Sequence, residues 1–276
     1  MKNRHYSLLI ICILALLAGL TLYRAAILDV FSAVINREGS SHGVFVPFIV
    51  AYFIWLKSDI IRALETRFDY KGIILILVGV IPLLFFNDIF QIVFMGYMVF
   101  IAGLVYTIQG KGYFLEIGFP LFFLITMVPL PLDTYIIIAD WMRSITFAGS
   151  LKVLWVFGIS YFREGWYLQL HNANLEIARG CSGIRYLISY FVFGLAYAWL
   201  YRSKFKSRLL IVVSTIPIAI FAGVCRLTAI FVMTHMLGPF WAQLRPHIVI
   251  SWIVFALVGG LFFVSDQYYL RRKAER

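Results

Sequence analysis

A cysteine, an arginine and a histidine in the second half of the chain are of the types that cleave amide bonds by acyl transfer. Cys181 lies between Arg179 and Arg185, where a polar stretch meets an apolar one. Neighbouring positive charge and a helix N-terminus both favour a thiolate over a thiol. Cys181 would attack a peptide carbonyl, Arg226 would stabilise the oxyanion, and His247 would protonate the departing amine. The thioester would then pass to water or to another nucleophile.

Of the three residues, Arg226 is the most costly to place, because it lies deep inside an apolar segment. A guanidinium there costs at least about 2.5–3.5 kcal/mol, so it needs a polar environment together with a partner or a function. Intramembrane carboxylates are scarce, and Asp88 and Glu176 are the candidate partners. His42 is a weaker competitor of His247 for the proton-transfer role.

The composition is that of an integral membrane protein. Of the 276 residues, 62% are hydrophobic and 13% are charged, whereas about 25% of a soluble domain is charged. The net charge of +11 is explained by basic residues in cytoplasmic loops rather than by nucleic-acid binding. Cys12 and Cys225 lie inside apolar runs, so the three cysteines do not form a disulfide framework.

Apolar segments predict eight membrane spans, since a span needs roughly 20 such residues. The predicted spans are Tyr6–Tyr23, Ser41–Leu56, Gly72–Phe86, Ile89–Ile108, Phe114–Leu130, Ser182–Tyr201, Leu209–Met233 and Ile248–Val264. We expect the first to be an uncleaved span rather than a signal peptide, because its apolar run is long and no cleavage site follows.

The basic residues orient these spans. With a cytoplasmic N-terminus, the cytoplasmic segments hold 15 of the 24 Lys and Arg residues and the outer segments hold seven. This bias favours both termini inside. Cys181, Arg226, His247 and His42 are then expected toward the outer face, at similar depth.

Two segments between spans have other patterns. Residues Asp133–Ile159 are apolar but interrupted by charges, which predicts one or two helices on the outer membrane surface. Residues Arg163–Arg185 alternate on both sides of the turn residues His171–Asn174, which predicts a small extracytoplasmic β-hairpin that leads to Cys181. We expect an all-α polytopic membrane protein with one domain over residues 1–276.

No pattern of metal ligation is evident. The sequence has no Cys-x-x-Cys, no His-Glu-x-x-His and no carboxylate cluster, and the arginines around Cys181 would repel a cation. We expect no metal and no cofactor. The expected partners are the lipid bilayer and a protein substrate, not nucleic acid, and the sequence leaves the oligomeric state open.

Ordered motifs extend from about Ser41 to residue 265. They are Ser41-His42-Gly43, Val128-Pro129-Leu130-Pro131, Arg163-Glu164-Gly165 followed by Cys181-Ser182-Gly183-Ile184-Arg185, Ala222-Gly223-Val224-Cys225-Arg226, and His247 with Trp252. In this order they resemble the motifs of exosortases, membrane cysteine transpeptidases of the exosortase/archaeosortase superfamily. Two departures are Gly223, where the family pattern has asparagine, and the apolar run after His247.

The resemblance implies a Cys-Arg-His site of Cys181, Arg226 and His247 at the outer face of a bacterial inner membrane. Five further residues are expected to support it, namely Arg185, Ser182, Gly183, His42 and Glu176. The substrates implied are exported proteins that end in a Pro-Glu-Pro-like motif, a transmembrane helix and a basic tail. Such proteins are often associated with exopolysaccharide production. The released protein would be transferred to an acceptor.

Two functions of other classes compete with this one. In a transporter or channel, Arg226 and the histidines would line a path for an anionic or polymeric substrate. In a non-catalytic factor for exopolysaccharide export, the outer hairpin would be a docking surface. Of these three functions, only the enzyme requires Cys181.

Overall fold

The computed structural model describes residues 17–37 and 39–274. Most of the first predicted span, Tyr6–Tyr23, lies outside the described residues. The described chain is mostly helical and divides into two compact units. We call them the N-terminal unit, which ends at Pro131, and the C-terminal unit, which begins at Leu132.

The N-terminal unit consists of apolar helices joined by short turns. They are α1 (Arg24–Asn36), α2 (Val46–Leu56), α3 (Ser58–Ala63), α4 (Lys71–Phe85), α5 (Phe90–Gln109) and α6 (Lys111–Leu124), with 3₁₀ turns at Ser41–Val44 and Ile125–Met127. Residues 17–22 are helical as well. Gly72, Gly79, Gly96 and Gly103 bring α4 and α5 together so closely that a Cβ on any of them would meet the partner helix, a packing mode common in membranes.

The C-terminal unit combines helices with a small sheet. Its elements are α7 (Leu132–Val156), β1 (Phe162–Glu164), β2 (Tyr167–Leu170), β3 (Ala173–Glu176), α8 (Ile184–Tyr201), α9 (Phe205–Leu237) and α10 (Leu244–Ala274). Short 3₁₀ turns cover Arg179–Cys181 and Pro239–Ala242. The segment expected on the membrane surface is one continuous helix, α7, and its position relative to a bilayer stays a prediction.

Four described helices are long and apolar enough to cross a membrane: α5, α8, α9 and residues Pro246–Tyr268 of α10. The number rises to six if two helix pairs, each interrupted by a short break, count as one span each. The helix α4 is apolar but shorter. The protein is therefore a polytopic helical membrane protein, and the count of eight spans stays a prediction.

The sheet is antiparallel with strand order β1-β2-β3. In β2 and β3, Leu168 pairs with Leu175 and Leu170 with Ala173. Where a two-stranded hairpin was expected, the chain forms three strands, because it also reverses at Gly165, whose φ of +57° suits glycine.

The sheet packs on the last turns of α9. Leu168 and Leu170 of β2 and Ile177 after β3 are buried in one cluster with Leu227 and Phe231 of α9. At 1.5 Å per residue, the 33 residues of α9 span about 50 Å, whereas the hydrocarbon layer is about 30 Å thick. The helix α9 is thus long enough for its C-terminal turns, and the sheet packed on them, to lie beyond the hydrocarbon layer.

A buried ion pair joins α8 to α10 at the opposite end of the C-terminal unit. The guanidinium of Arg202, which follows α8, donates to a carboxylate oxygen of Asp266, and these side chains are only 13% and 14% exposed. The Tyr197 hydroxyl donates to the second oxygen of Asp266 at 2.7 Å, and Gln267 donates to that hydroxyl at 2.9 Å. This network fixes the lengthwise register of the two helices.

Removal of the Asp266 carboxylate should destabilise the protein, because Arg202 would remain as a buried charge without its counter-ion. We expect Asp266→Ala to lower the free energy of unfolding by on the order of 3 kcal/mol, measured as a lower thermal midpoint in detergent micelles. Asp59→Ala removes an exposed carboxylate and is the matched control. Equal midpoints for both variants would contradict a structural role of the pair.

Candidate active site

Cys181 lies at the end of the 3₁₀ turn that connects the sheet to α8. Its N–H donates to the carbonyl of Ala178 at 2.9 Å, and Ser182 N–H donates to the carbonyl of Arg179 at 3.0 Å. Gly183 follows with a φ of +84° and allows the sharp entry into α8, a conformation that other residues rarely adopt. The thiol is half-buried, so the turn presents it at the start of a helix while leaving it accessible.

His247, in the first turns of α10, contacts this thiol. The distance from Cys181 Sγ to His247 Nε2 is 3.3 Å, which is within hydrogen-bond reach for sulfur. The backbone holds the histidine in place: its N–H donates to the Gln243 carbonyl at 3.1 Å, and its carbonyl accepts from the Ser251 hydroxyl at 2.7 Å. A nucleophile and a base at this separation are the arrangement that activates a thiol.

Arg226 completes the set from α9, about two-thirds of the way along that helix. It is only 3% exposed, and its Nη2 donates to the backbone carbonyl of Cys181. Its guanidinium carbon lies 5.1 Å from the centre of the Tyr186 ring. Its Nε is buried without a hydrogen-bond partner among the described residues. Because a guanidinium carries several N–H donors, Arg226 can hold the nucleophile's backbone and still donate to a developing oxyanion.

Within the described residues, Arg226 forms no ion pair with a carboxylate. Glu176 is an exposed residue of β3 and, within the part of the chain that the structure describes, forms no ion pair with Arg226. Asp88 is exposed in the N-terminal unit. A peptide carbonyl and an aromatic face, the groups that the structure places beside Arg226, solvate the cation without neutralising it. The positive charge therefore stays available next to Cys181.

Tyr186 is a site residue that sequence reasoning missed. Its ring faces Arg226, and its hydroxyl donates to the Ser251 carbonyl at 2.8 Å. Because Ser251 lies one turn after His247 on α10, Tyr186 links the helix that follows Cys181 to the helix that carries the base. Its position directly after Arg185 was the available signal, but an aromatic residue in a span is more often a packing residue.

The helix α7 forms one wall of the site. Thr146 is fully buried, and its hydroxyl lies 2.8 Å from the Met142 carbonyl and 3.3 Å from the Ser182 carbonyl. A Cβ on Gly223 would lie 2.6 Å from Thr146 Cγ2. The threonine on α7 thus fills the space beside Gly223 that a side chain there would need.

The arginines next to Cys181 differ in their surroundings. The Arg179 Nε donates to Asp140 of α7 at 3.0 Å, and Arg143 Nη1 lies 3.8 Å from the same carboxylate oxygen. Arg143 is buried and stacks on the Trp166 ring, 3.8 Å from its centre. Arg185 is exposed. Asp140 offsets part of the positive charge that the sequence places around the thiol.

His42 has a structural environment within the N-terminal unit. Its Nδ1 lies 3.2 Å from the Gly39 carbonyl and its Nε2 lies 3.0 Å from the Thr126 carbonyl. Each ring nitrogen faces a backbone carbonyl, and through the contact with Thr126 the ring joins the 3₁₀ turn Ser41–Val44 to the 3₁₀ turn Ile125–Met127. Of the two histidines weighed for proton transfer, the structure places His247 at Cys181.

Among the described residues, no group of three or more His, Cys, Asp or Glu side chains could hold a metal ion. The chemistry that this geometry can perform with its own groups is nucleophilic attack by a thiol, proton transfer through an imidazole, and stabilisation of negative charge by a guanidinium.

Substitution at Gly223 tests the packing around the site. We expect Gly223→Ala to lower the free energy of unfolding by about 1–3 kcal/mol through overpacking against Thr146, measured as a lower thermal midpoint in detergent. Adding Thr146→Ser removes the clashing Cγ2 and should restore the midpoint. Gly260→Ala, at a helical glycine with open space around it, is the control. No rescue by Thr146→Ser would contradict this contact.

The model of the transmembrane exosortase family matches residues 34–264, which includes the turn at Cys181 and the helices that carry Arg226 and His247. No curated protein and no solved structure matches the chain.

Proposed function

The chain belongs to the transmembrane exosortase family, and we propose that it is a cysteine transpeptidase that cleaves exported, membrane-tethered proteins. The observation that carries the proposal is the contact of Cys181 with His247, 3.3 Å from Sγ to Nε2, beside the Arg226 guanidinium. A structural cysteine does not require a histidine and a buried arginine at the same turn. The proposed catalytic residues are Cys181, Arg226 and His247.

The proposed reaction has two halves. The Cys181 thiol transfers its proton to His247 Nε2, and the sulfur attacks the scissile carbonyl carbon, whose oxygen takes up negative charge near Arg226. The C–N bond then breaks, and His247 returns the proton to the departing amine, which leaves a thioester on Cys181. In the second half, a hydroxyl, an amine or water attacks the thioester, loses a proton to His247 and regenerates the thiol.

The fold supports a location of the proposed active site at the membrane–water boundary. Open sheet edges carry unpaired N–H and C=O groups, which hydrocarbon cannot accommodate. The sheet that leads to Cys181 has such edges, whereas the helices after Cys181 and around Arg226 are long apolar spans. We propose that this boundary is the outer one of a bacterial inner membrane, with both termini cytoplasmic, as the distribution of Lys and Arg favours.

The proposed substrates end in a Pro-Glu-Pro-like motif, an apolar helix and a basic tail. With the basic tail retained in the cytoplasm, the apolar helix would cross the bilayer and bring the motif to the level of Cys181 on the outer side. We propose that residues 1–276 act as one functional domain in this reaction, with its catalytic core at about 41–265.

Loss of the thiol should abolish processing. In cells that express an exported reporter with this tripartite C-terminus, we expect the reporter to stay full-length with Cys181→Ala and to be cleaved normally with Cys225→Ala, as judged by immunoblotting. Cys225 is a free, half-buried cysteine next to Arg226 and therefore controls for nonspecific effects of cysteine removal. Normal cleavage by Cys181→Ala would end the proposal.

Arg226→Lys separates the enzyme from a transporter. Lysine keeps the charge but lacks the planar fork that reaches the Cys181 carbonyl, so we expect the cleavage rate to fall by about a hundredfold. A transporter or channel requires Arg226 but not Cys181, and an assembly factor requires neither thiol reactivity nor cleavage. The cleavage rates of Arg226→Lys and Cys181→Ala are measured on the same reporter. A loss of cleavage in both variants supports the enzyme, whereas a defect in Arg226→Lys alone supports a transporter or channel.

A further inference from the structure

The strand β3 lies at an edge of the sheet and leads directly to the nucleophile. Among the described residues, β3 pairs with β2 on one side and with no strand on the other. It ends at Glu176, five residues before Cys181. The other edge strand, β1, is separated from this route by β2. An open edge strand is a template for another extended chain.

The register shows which backbone groups of β3 face the open side. Ile177 N–H donates to the Trp166 carbonyl at 2.9 Å, so these two residues form a hydrogen-bonded pair across the strands. Such pairs alternate in an antiparallel ladder, which directs Leu175 and Ala173 toward β2 as well. The N–H and C=O groups of Asn174 and Glu176 therefore point away from the sheet, along the free edge.

The edge is held rigidly. Leu168, Leu170 and Ile177 are buried against α9, and the Asn172 side-chain amide donates to the His235 carbonyl of α9 at 3.1 Å. Leu175 packs on the same cluster, whereas the side chains of Asn174 and Glu176 are exposed. A template that is already ordered loses little entropy when a chain binds to it.

We propose that the substrate segment next to the scissile bond binds as a fourth strand along the free edge of β3. Its backbone would pair with Asn174 and Glu176, and the ladder would direct the next carbonyl toward Cys181. This inference rests on the proposed peptidase function and names the form in which the peptide is bound. The five residues from Glu176 to Cys181 span at most about 18 Å, so a short extended segment is sufficient.

Pairing with β3 requires backbone N–H groups at alternate positions of the substrate segment. Only every second residue of the bound segment directs its N–H toward β3, while the residues between direct theirs outward. Proline is therefore tolerated at the alternate positions, where no donor is needed. In a Pro-Glu-Pro segment, only the glutamate can supply a backbone donor.

A scan of amide-to-ester replacements in the substrate tests the proposal on the unaltered protein. The probe is a synthetic peptide with Pro-Glu-Pro, an apolar helix of about 20 residues and terminal arginines, reconstituted with the purified protein in lipid vesicles. Each ester removes one N–H without adding bulk. We expect the cleavage rate to fall about fivefold to tenfold at every second replaced position, the glutamate included, and to change little between them.

Binding of the same peptides to Cys181→Ala separates this inference from the proposed function. If the unmodified peptide is cleaved in a Cys181-dependent manner but all esters behave alike, strand pairing is wrong and the peptidase stands. If affinity alternates along the peptide but no cleavage occurs, the peptidase is wrong and strand pairing stands. Uniform affinities together with no cleavage overturn both.

Proline at Glu176 gives a second test from the protein's side. Glu176→Pro removes the outward N–H without breaking the ladder to β2, whereas Glu176→Ala removes only the side chain. With Glu176→Ala as the reference for loss of the side chain, we expect Glu176→Pro to bind the peptide at least about fivefold more weakly than Glu176→Ala, with similar thermal midpoints. Should Glu176→Pro instead abolish self-association in cross-linking and leave peptide affinity intact, the occupant of the edge is a second copy of the chain. If Glu176→Pro does not fold, the ester scan decides.

Discussion

The hydrogen bond from Arg226 to the Cys181 carbonyl is the interaction on which the C-terminal unit depends. It places a buried cation, 3% exposed, against the backbone of the turn that presents the thiol. A charge at this depth is stable only if polar groups surround it, and here they are a peptide carbonyl and the face of Tyr186. Because no carboxylate of the described residues forms an ion pair with Arg226, its charge contributes a positive potential at the nucleophile.

A second constraint comes from the backbone. A turn and a sheet can exist only where water or protein satisfies their polar groups, so they cannot lie exposed in hydrocarbon. The long helix α9 meets both requirements, since Arg226 lies about two-thirds of the way along it and the residues from Leu227 onward pack on the sheet. The chain thus passes from an open strand edge, through a tight turn, into an apolar helix within a few residues. Cys181 lies at that transition.

The remaining contacts set the precision of the site. Tyr186 joins α8 to the part of α10 that holds His247, and Thr146 of α7 contacts both the turn and the close approach at Gly223. Far from the thiol, the Arg202–Asp266 pair joins α8 and α10 again. With both ends tied, the separation of the thiol and the imidazole follows from the register of two helices. Among the described residues, no side chain forms a hydrogen bond with His247 Nδ1. The orientation of the imidazole therefore depends on the register of α8 and α10.

Hydrophobic periodicity, turn chemistry and rare polar groups in spans are local signals. The order of residues therefore indicated the membrane class, most apolar helices and the strands on each side of His171–Asn172, and it singled out Cys181, Arg226 and His247 as candidates. The family match agrees with the ordered motifs that the sequence displays. Which of these groups meet depends on the fold. It gave Arg226 a backbone carbonyl as partner, placed the His247 imidazole at the thiol, and brought Tyr186 and α7 into the site. These outcomes depend on helix rotation and close packing. Both arise from contacts between residues far apart in the chain, and such contacts produce no periodic pattern in the sequence.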